Sequence, residues 1–583
     1  MRGKRNWIGR FLWLLFVACL FMETHTAMAA APPVGTAPEV YAKVREENGG
    51  KLAFKQRFIT TTRQSVVFTF GGFSKEAPLR DILDKMEAKG WTGTFFVTAR
   101  ELEKNGTNLD LIAARGQDFG VAIHTKDTDD FYSICTQIDY VRNGLRDRYG
   151  IETTSVRHMG GPETAALQEA VAALGCNLYG QSLNVVQGKH KDAATPAEVM
   201  PDIFGKWTTS LGRGQLVYLR TDFYTRELLA GEMMMEVWKK KIDNIAYRAF
   251  GDSPETNPAN DSAYAVESIR EVLADKEKLW QYPVDPEKIL PELRPDYVPF
   301  PINDQNFEEE FYKRYLGAPE VDEKDRMTEF SRSEMIKADK TGVVKTVTDN
   351  TVFFTFDDWG NDDSVNHLLY VLRKHKVPGT FFVITWNMPN NPNLLRAIAV
   401  DGQEIASHTN SHKAMNRRDE RGRQVAVMGK EEYAEDVRES FLRLSDAIGD
   451  VVVDGRPALT RFMRPPTLAV SRSGVRANFD AGFTYIVSGE STEDYAQPDL
   501  SSLVASLQNA IFTRRGKVRK GNVLVMHMSA TAKFTAKAVD LLLTANAQRP
   551  DGDPAKFRLA RLDDYLTGEY SQIEHHIPAI NLR

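Results

Sequence analysis

Between residues 341 and 570, short apolar runs alternate with amphipathic stretches. Residues 352–356, 380–385, 403–407, 461–463, 484–488, 522–526 and 557–561 each read as a short apolar strand. The clearest helix between them is 431–448, where Tyr433, Val437, Phe441, Leu444 and Ile448 recur at spacings of three or four and line one face. Such alternation builds a parallel sheet with helices outside it. Spacing alone leaves a barrel and an open sheet equally available.

The same pattern occurs earlier in the chain. Ser65-Val-Val-Phe-Thr-Phe-Gly71-Gly72 parallels Asn350-Thr-Val-Phe-Phe-Thr-Phe-Asp357-Asp358, and Gly93-Thr-Phe-Phe-Val97 parallels Gly379-Thr-Phe-Phe-Val383, both at an offset of 286 residues. Residues 55–250 therefore read as a second copy of the 341–570 domain. The polar positions differ. Gly71 and Gly72 stand in place of the two carboxylates, Thr128 follows His124 where a second histidine is expected, Gly160 stands for Arg464, and Arg220 closes the strand that His527 closes in the later half. This copy is expected to be inactive and kept for packing or for glycan binding. Residues 251–340 carry nine prolines from Pro254 to Pro319, with Trp280, Tyr282, Tyr297, Phe300, Phe307, Phe311 and Tyr315 among them. Proline argues against a third regular domain, and the aromatic content against a free tether. An ordered linker with one helix, 265–281, is expected.

At 583 residues the chain is long enough for two or three domains, and 42% hydrophobic with 26% charged residues indicates a soluble globular protein. A net charge of −5 gives no reason to expect nucleic acid or an anionic membrane surface as partner. Arg2, Lys4, Arg5 and Arg10 precede the apolar run 11–22, and Ala27-Met28-Ala29 offers a small-x-small cleavage site. Residues 1–29 read as a secretory signal peptide, hence an exported protein of the periplasm, envelope or exterior. Membrane contact arises only if that segment stays as an uncleaved anchor, for which the run is short. Beyond Cys19, only Cys135 and Cys176 remain, able to pair or to lie buried, and no Cys-x-x-Cys suggests a thiolate zinc site.

The chemistry gathers between 351 and 527. An apolar strand ends in the adjacent carboxylates Asp357 and Asp358, and some fifty residues later Ser407-His408-Thr-Asn-Ser-His412 places two imidazoles four positions apart, as on one side of a helical turn. Two histidines and one carboxylate can hold a divalent cation with positions left open, and the other carboxylate is then free as a base. The bland alternatives are helix caps and surface polar residues. Asp362 and Asp363 read as caps of the following helix, His367 and His375 as solvated, and the His575–His576 pair as a poor metal site.

The Thr-Phe-Asp-Asp strand end and the His-Thr-x-Ser-His run resemble the first two motifs of the polysaccharide deacetylases (carbohydrate esterase family 4, the NodB-homology domain). Arg464-Pro465-Pro466, Asp494-Tyr495 and the strand ending at His527 match the later motifs in order. The resemblance spans roughly 340–570. It implies an α/β fold of two tandem distorted (β/α)7-type barrel domains joined by the Pro-rich linker, with chemistry at the C-terminal strand ends. It also implies hydrolysis of acetyl groups on an amino-sugar polymer such as peptidoglycan or a chitin-like glycan. The metal ligands would be Asp358, His408 and His412, with zinc the first expectation and cobalt or nickel also accommodated. Asp357 would be the general base and His527 the general acid. Arg464 would hold Asp357 ionised and Asp494 would favour protonated His527. The backbone N–H of Thr467 is a candidate oxyanion donor. Tyrosine then glycine is the more usual pair where Thr467 and Leu468 stand, which puts the usual substrate preference in question. An O-acetyl polysaccharide esterase and a glycan-binding or cell-wall protein with little catalysis are the competing readings.

Overall fold

The computed structural model describes residues 38–205, 209–253, 256, 264–319, 327–421 and 423–567. The expected signal peptide and the His575–His576 pair lie outside them. Two curled sheets organise the described chain, each open rather than closed, and every strand pairing within them is parallel. In the first, the path runs Asn177–Tyr179, Ser155–Gly160, Asp118–His124, Thr94–Val97, Ser65–Gly71, Leu216–Arg220 and Leu183–Asn184. In the second it runs Glu490–Ser491, Val523–His527, Thr351–Asp358, Thr380–Val383, Glu404–Ser407, Leu459–Met463, Tyr485–Val487 and Tyr315–Leu316. Both are (β/α) barrel-like sheets wrapped by helices. The second has more strands than the seven expected, because two-residue pieces such as Glu490–Ser491 carry no readable alternation.

The stretch expected as a linker contributes a strand to each sheet. Ala265–Glu267 pairs with Ser65–Val67, and Tyr315–Leu316 pairs with Ile486–Val487. The single helix expected at 265–281 is instead this strand, a short helix Ile269–Ala274 and a 3-10 turn Lys276–Lys278. Ser268 starts the helix by accepting the Glu271 N–H while Glu271 returns to the Ser268 N–H, a capping box that ends the strand. The linker aromatics are bound to the later half: Phe307, Phe311 and Tyr315 are buried in its core.

Period-two geometry divides each central strand between two cores. Phe354 and Phe356 face the helices, with Leu368, Leu372 and Phe381. Phe353 faces the curled interior, with Phe382, Ala406, Phe462, Val487 and Val523. Counting on in twos from these inward residues reaches Thr355 and Asp357, His408, Arg464, and Val525 and His527. The strand interior is greasy at its base and ionisable at its C-terminal mouth. The halves are pinned together by buried Asn393, whose side chain accepts from Thr61 N–H (3.2 Å) and Trp280 Nε1 (2.9 Å) and donates to the carbonyls of Ile59 (2.7 Å) and Arg213 (3.1 Å). Cys135 and Cys176 are free, buried thiols, which burial pushes up to about 12 and about 11 respectively.

Candidate active site

Asp357 lies at 2% exposure, and its Oδ1 accepts from Arg464 Nη1 at 2.6 Å. Arg464 has no exposed surface, and its other bonds are spent on Thr355 Oγ1 (2.6 Å) and the carbonyls of Val487 (2.9 Å) and Ser488 (3.0 Å). The guanidinium is thus locked by groups on two strands and the residue that follows one of them, and lies 4.0 Å from the centre of the Phe382 ring. Burial pushes the Asp357 carboxyl above the ordinary carboxylate range, and the charges of Arg464 and His527 oppose it. Asp357 is therefore a stronger base than a surface aspartate, with its Oδ2 free of Arg464.

Asp358 follows on a strand whose alternation would turn it towards the helices. Its φ of 79° breaks that alternation. Its Oδ1 lies 3.8 Å from His408 Nε2 and 3.3 Å from His412 Nε2, buried and without a hydrogen-bond donor. The two histidines sit on a loop rather than the helical turn expected. Thr409 and His412 adopt φ of 67° and 57°, and the imidazole rings meet with centroids 4.9 Å apart. Asp436, on the helix Lys430–Ile448, shapes this loop by accepting the N–H groups of Asn410 (3.2 Å) and Ser411 (3.3 Å).

His408 Nδ1 lies 2.8 Å from the Arg464 carbonyl, which can only accept. That contact puts the proton on Nδ1 and leaves the Nε2 lone pair facing the carboxylates. Burial, aided by His412, pushes this imidazole down to about 3, so it stays in the neutral, ligating form. Among the described residues Asp358, His408 and His412 are the one group of such side chains whose ligand atoms all lie within 4.8 Å of one another. A donorless carboxylate oxygen facing a lone pair suits a cation. Three protein ligands of this type fit zinc, cobalt or nickel equally and leave room for water and substrate.

Opposite, Asp494 is buried and holds His527 twice: Oδ1 meets Nδ1 at 2.6 Å and Oδ2 accepts the backbone N–H at 2.8 Å. Oδ2 also accepts from Thr535 Oγ1 at 2.6 Å. Burial alone would lower the His527 imidazole, but the bond to Asp494 and the charges of Asp494, Asp357 and Asp358 outweigh it and lift the ring to about 9. The exposed Tyr495 ring stands edge-on to it, 5.0 Å between centroids. Thr467 is exposed, with Thr467 and Leu468 both left-handed (φ 60° and 58°), a kink after Pro465-Pro466.

The structure therefore brings Asp357, Asp358, His408, His412, Arg464, Asp494 and His527 to one mouth, with Thr467 on the loop that follows Arg464. Sequence reading missed Thr355, whose signal is its inward place on the strand, and Asp436 and Thr535, helix residues that carry no such signal. Three other expectations change. Asn361, not Asp362 or Asp363, caps the Asp362–His375 helix by accepting the Ser364 N–H. Asp362 is instead half-buried against Asn391, which donates to it at 2.8 Å, and desolvation lifts it to about 6. His367 and His375 are not solvated: His375 pairs with Asp540 at 2.7 Å, and His367 packs edge-on against Phe250.

The first sheet lacks this constellation. Gly71 pairs in register with Arg220, as Asp357 does with His527. Arg220 Nε bonds Asp222 Oδ1 at 2.6 Å directly over Gly72, where a Cβ would lie 2.1 Å from that oxygen. His124 is exposed, with His158 rather than a second loop histidine nearby.

A parallel barrel-like sheet that presents a His₂–carboxylate donor set beside two buried acid–base pairs has the layout of a hydrolytic centre. The family described as polysaccharide deacetylase matches residues 344–486, which include the two aspartates, both histidines and Arg464. The chain is 30% identical over 177 residues to the chitooligosaccharide deacetylase of Bradyrhizobium sp. (strain ANU 289), covering 30% of this chain and 70% of that one. It is 24% identical over 180 residues to a peptidoglycan-N-acetylglucosamine deacetylase of Bacillus cereus, covering 30% and 71%. A solved family 4 acetyl xylan esterase from Clostridium thermocellum, in complex with cobalt, is 19% identical and covers 37% of this chain and 89% of its own, at a TM-score of 0.28. The chain belongs to the polysaccharide deacetylase family.

Proposed function

We propose that the protein is an exported, metal-dependent deacetylase that hydrolyses N-acetyl groups on an amino-sugar polymer. The observation that carries this reading is the convergence of three cation donors with two differently tuned proton carriers at one strand mouth. Asp358, His408 and His412 would hold the metal, zinc or a similar divalent ion, which when bound would polarise the acyl oxygen and acidify water. Asp357 takes the proton of the attacking water through Oδ2, since Oδ1 is held by Arg464. The Asp494 contact occupies His527 Nδ1, so Nε2–H is the proton available to the departing nitrogen. Arg464 and Asp494 are positioning residues: each fixes the geometry and charge of its partner. The Thr467 N–H is the candidate donor to the developing oxyanion. One proton passes to Asp357 and one leaves His527 for the nitrogen, so a free amine and acetic acid result, the acid then losing its proton to water as acetate.

We further infer that residues 55–250 are a degenerate copy of the 341–570 domain that does no chemistry. The pairs Thr69–Thr94 and Thr94–Asp118 recur at an offset of 286 as Thr355–Thr380 and Thr380–Glu404, which supports the reading. Export rests on the signal-like residues 1–29. Among the described residues no helix is long and apolar enough to cross a membrane. The test is acetate release from a panel of N- and O-acetylated glycans by the zinc- or cobalt-loaded protein and its Asp357→Asn form. Loss of the base should lower the rate by roughly 10²–10⁴-fold. Metal-loaded protein that releases acetate from nothing, or only from O-acetylated xylan, would sink the N-deacetylase reading.

A further inference from the structure

One helix of the second half ties the reaction centre to the first half. Asp362–His375 begins four residues beyond Asp358. In its first turn Ser364 Oγ donates to the Met528 carbonyl at 2.7 Å, and the Met528 N–H donates to the Asp357 carbonyl at 3.0 Å. Met528 directly follows His527, so these two bonds fix the backbone that carries the proposed acid against the backbone that carries the proposed base. The approach is close: a Cβ on Gly360, just ahead of the helix, would collide with the Met528 oxygen.

Farther along, the same helix is covered by the last helix of the first half, Ile242–Phe250. The Phe250 ring stacks on Tyr370 at 5.3 Å between centroids and 14° between planes, and Tyr247 meets the same ring edge-on at 5.1 Å. With Ala246 they bury Tyr370 completely, in a small core that the two halves share. The Tyr370 hydroxyl donates to Asp252 Oδ2 at 2.8 Å, and Lys374 Nζ lies 3.3 Å from the same oxygen. At the start of the helix, Gly212 of the first half comes so near that a Cβ there would lie 3.1 Å from Asp362 Oδ1. Ring pairs of this geometry hold better than their buried area alone. Ser364 and Tyr370 are about 9 Å apart along one rigid helix, so what fixes the ring also fixes the hydroxyl.

We propose that the first half serves as a positioning element for the reaction of the second. Phe250 and Tyr247 hold the Asp362–His375 helix, and Ser364 passes that constraint to Met528 and so to His527. The proposal rests on the deacetylase reading above and gives the copy without chemistry a part in it.

The test uses the full-length, metal-loaded protein with Phe250→Ala, Phe250→Tyr, Ser364→Ala and the Phe250→Ala/Ser364→Ala pair. Phe250→Ala and Ser364→Ala each lower kcat for acetate release about tenfold with KM nearly unchanged, because each displaces the acid and leaves the metal ligands in place. Phe250→Tyr recovers most of the loss. The double variant loses little more than either single one, as two links of one chain do. Hydrogen exchange read by mass spectrometry needs no turnover. In Phe250→Ala the amides of 360–366 and of Met528 exchange about tenfold faster, while strands Ser65–Gly71 and Glu404–Ser407 keep their wild-type rates. A kcat equal to wild type, multiplicative losses in the double variant, or exchange that rises alike throughout the chain overturns the positioning role, the last reducing Phe250 to a stabilising residue. Wild-type protein that releases no acetate, with the local exchange pattern intact, overturns the reaction instead and leaves the tie between the halves standing.

Discussion

The Asp494→Asn variant isolates how the fold sets the proposed acid. His527 stands at about 9 against an ordinary 6.5, because its bond to buried Asp494 and the surrounding carboxylates outweigh the burial that opposes its charge. That rise corresponds to about 3 kcal/mol in favour of the imidazolium. In the variant the side-chain oxygen can keep the two Oδ2 contacts, to the His527 N–H and Thr535. Its amide then donates to Nδ1 and favours the neutral ring. The imidazole should fall to 6.5 or below. At pH 8 about nine-tenths of His527 is protonated in the wild type, against about 3% in the variant, a rate loss of roughly thirtyfold. At pH 6 the loss from protonation is less than about twofold.

The assay is kcat/KM for acetate release by metal-loaded protein from pH 5 to 10. The wild type should lose activity as pH rises through about 9. The variant should lose it two or more units lower. A basic limb that stays near 9 in the variant would refute His527 as the group that sets it. The same raised value bears on stability. Stabilisation from the pair is complete below about 6.5 and is lost as pH climbs through about 9, so the wild-type advantage in urea should shrink at pH 10.

Four further outcomes are expected. Dialysis against a chelator should abolish turnover, and His408→Ala or Asp358→Ala protein should retain well under one metal per chain by elemental analysis, since two ligands rarely hold zinc. Arg464→Met strands the buried Asp357 charge and should cost about 3–5 kcal/mol in denaturant unfolding, far more than loss of a surface ion pair. Asn393→Ala leaves two N–H groups and two carbonyls unpaired between the halves and should cost at least about 2–3 kcal/mol by the same measure. Gly72→Asp should lower the melting temperature without adding a second metal, because its Cβ would collide with Asp222 at a φ of 74°.

The sequence made the central strands and their polar ends readable because both follow from spacing. An aromatic run such as Val-Phe-Phe-Thr-Phe fits only a strand buried on both faces, and its period of two carries the inward side from Phe353 to Asp357. The same count places His408, Arg464 and His527 inward without any knowledge of the helices. Features that depend on a left-handed residue or a distant partner gave no such signal. Nothing in Asp357-Asp358 reveals that the second carboxylate turns back at φ 79°. The spacing of His408 and His412 fits a helical turn as well as the loop that Asp436 shapes from a helix some twenty-five residues later. Tyr315–Leu316 is too short to announce itself as a strand, so the proline-rich segment reads as an ordered linker although it supplies a strand to each sheet.

The contrast between the two halves shows what the chemistry demands beyond the fold. Both sheets keep the parallel order and the strand register that would carry a reaction at the mouth. In the first, glycines stand at the two positions that match the carboxylates. Arg220 and Asp222 pair over Gly72, and the Tyr218 hydroxyl would lie 2.8 Å from a Cβ at Gly71. An ion pair occupies that place, so a carboxylate introduced there would meet packed atoms instead of a cavity. In the second, the Arg464–Asp357 pair leaves Oδ2 free and the neighbouring Asp358 oxygen lacks a donor. Buried polar atoms are normally satisfied within the protein. What sets the second half apart is that its unsatisfied carboxylate oxygen stands beside a histidine held neutral, the donor set that the proposed metal would need.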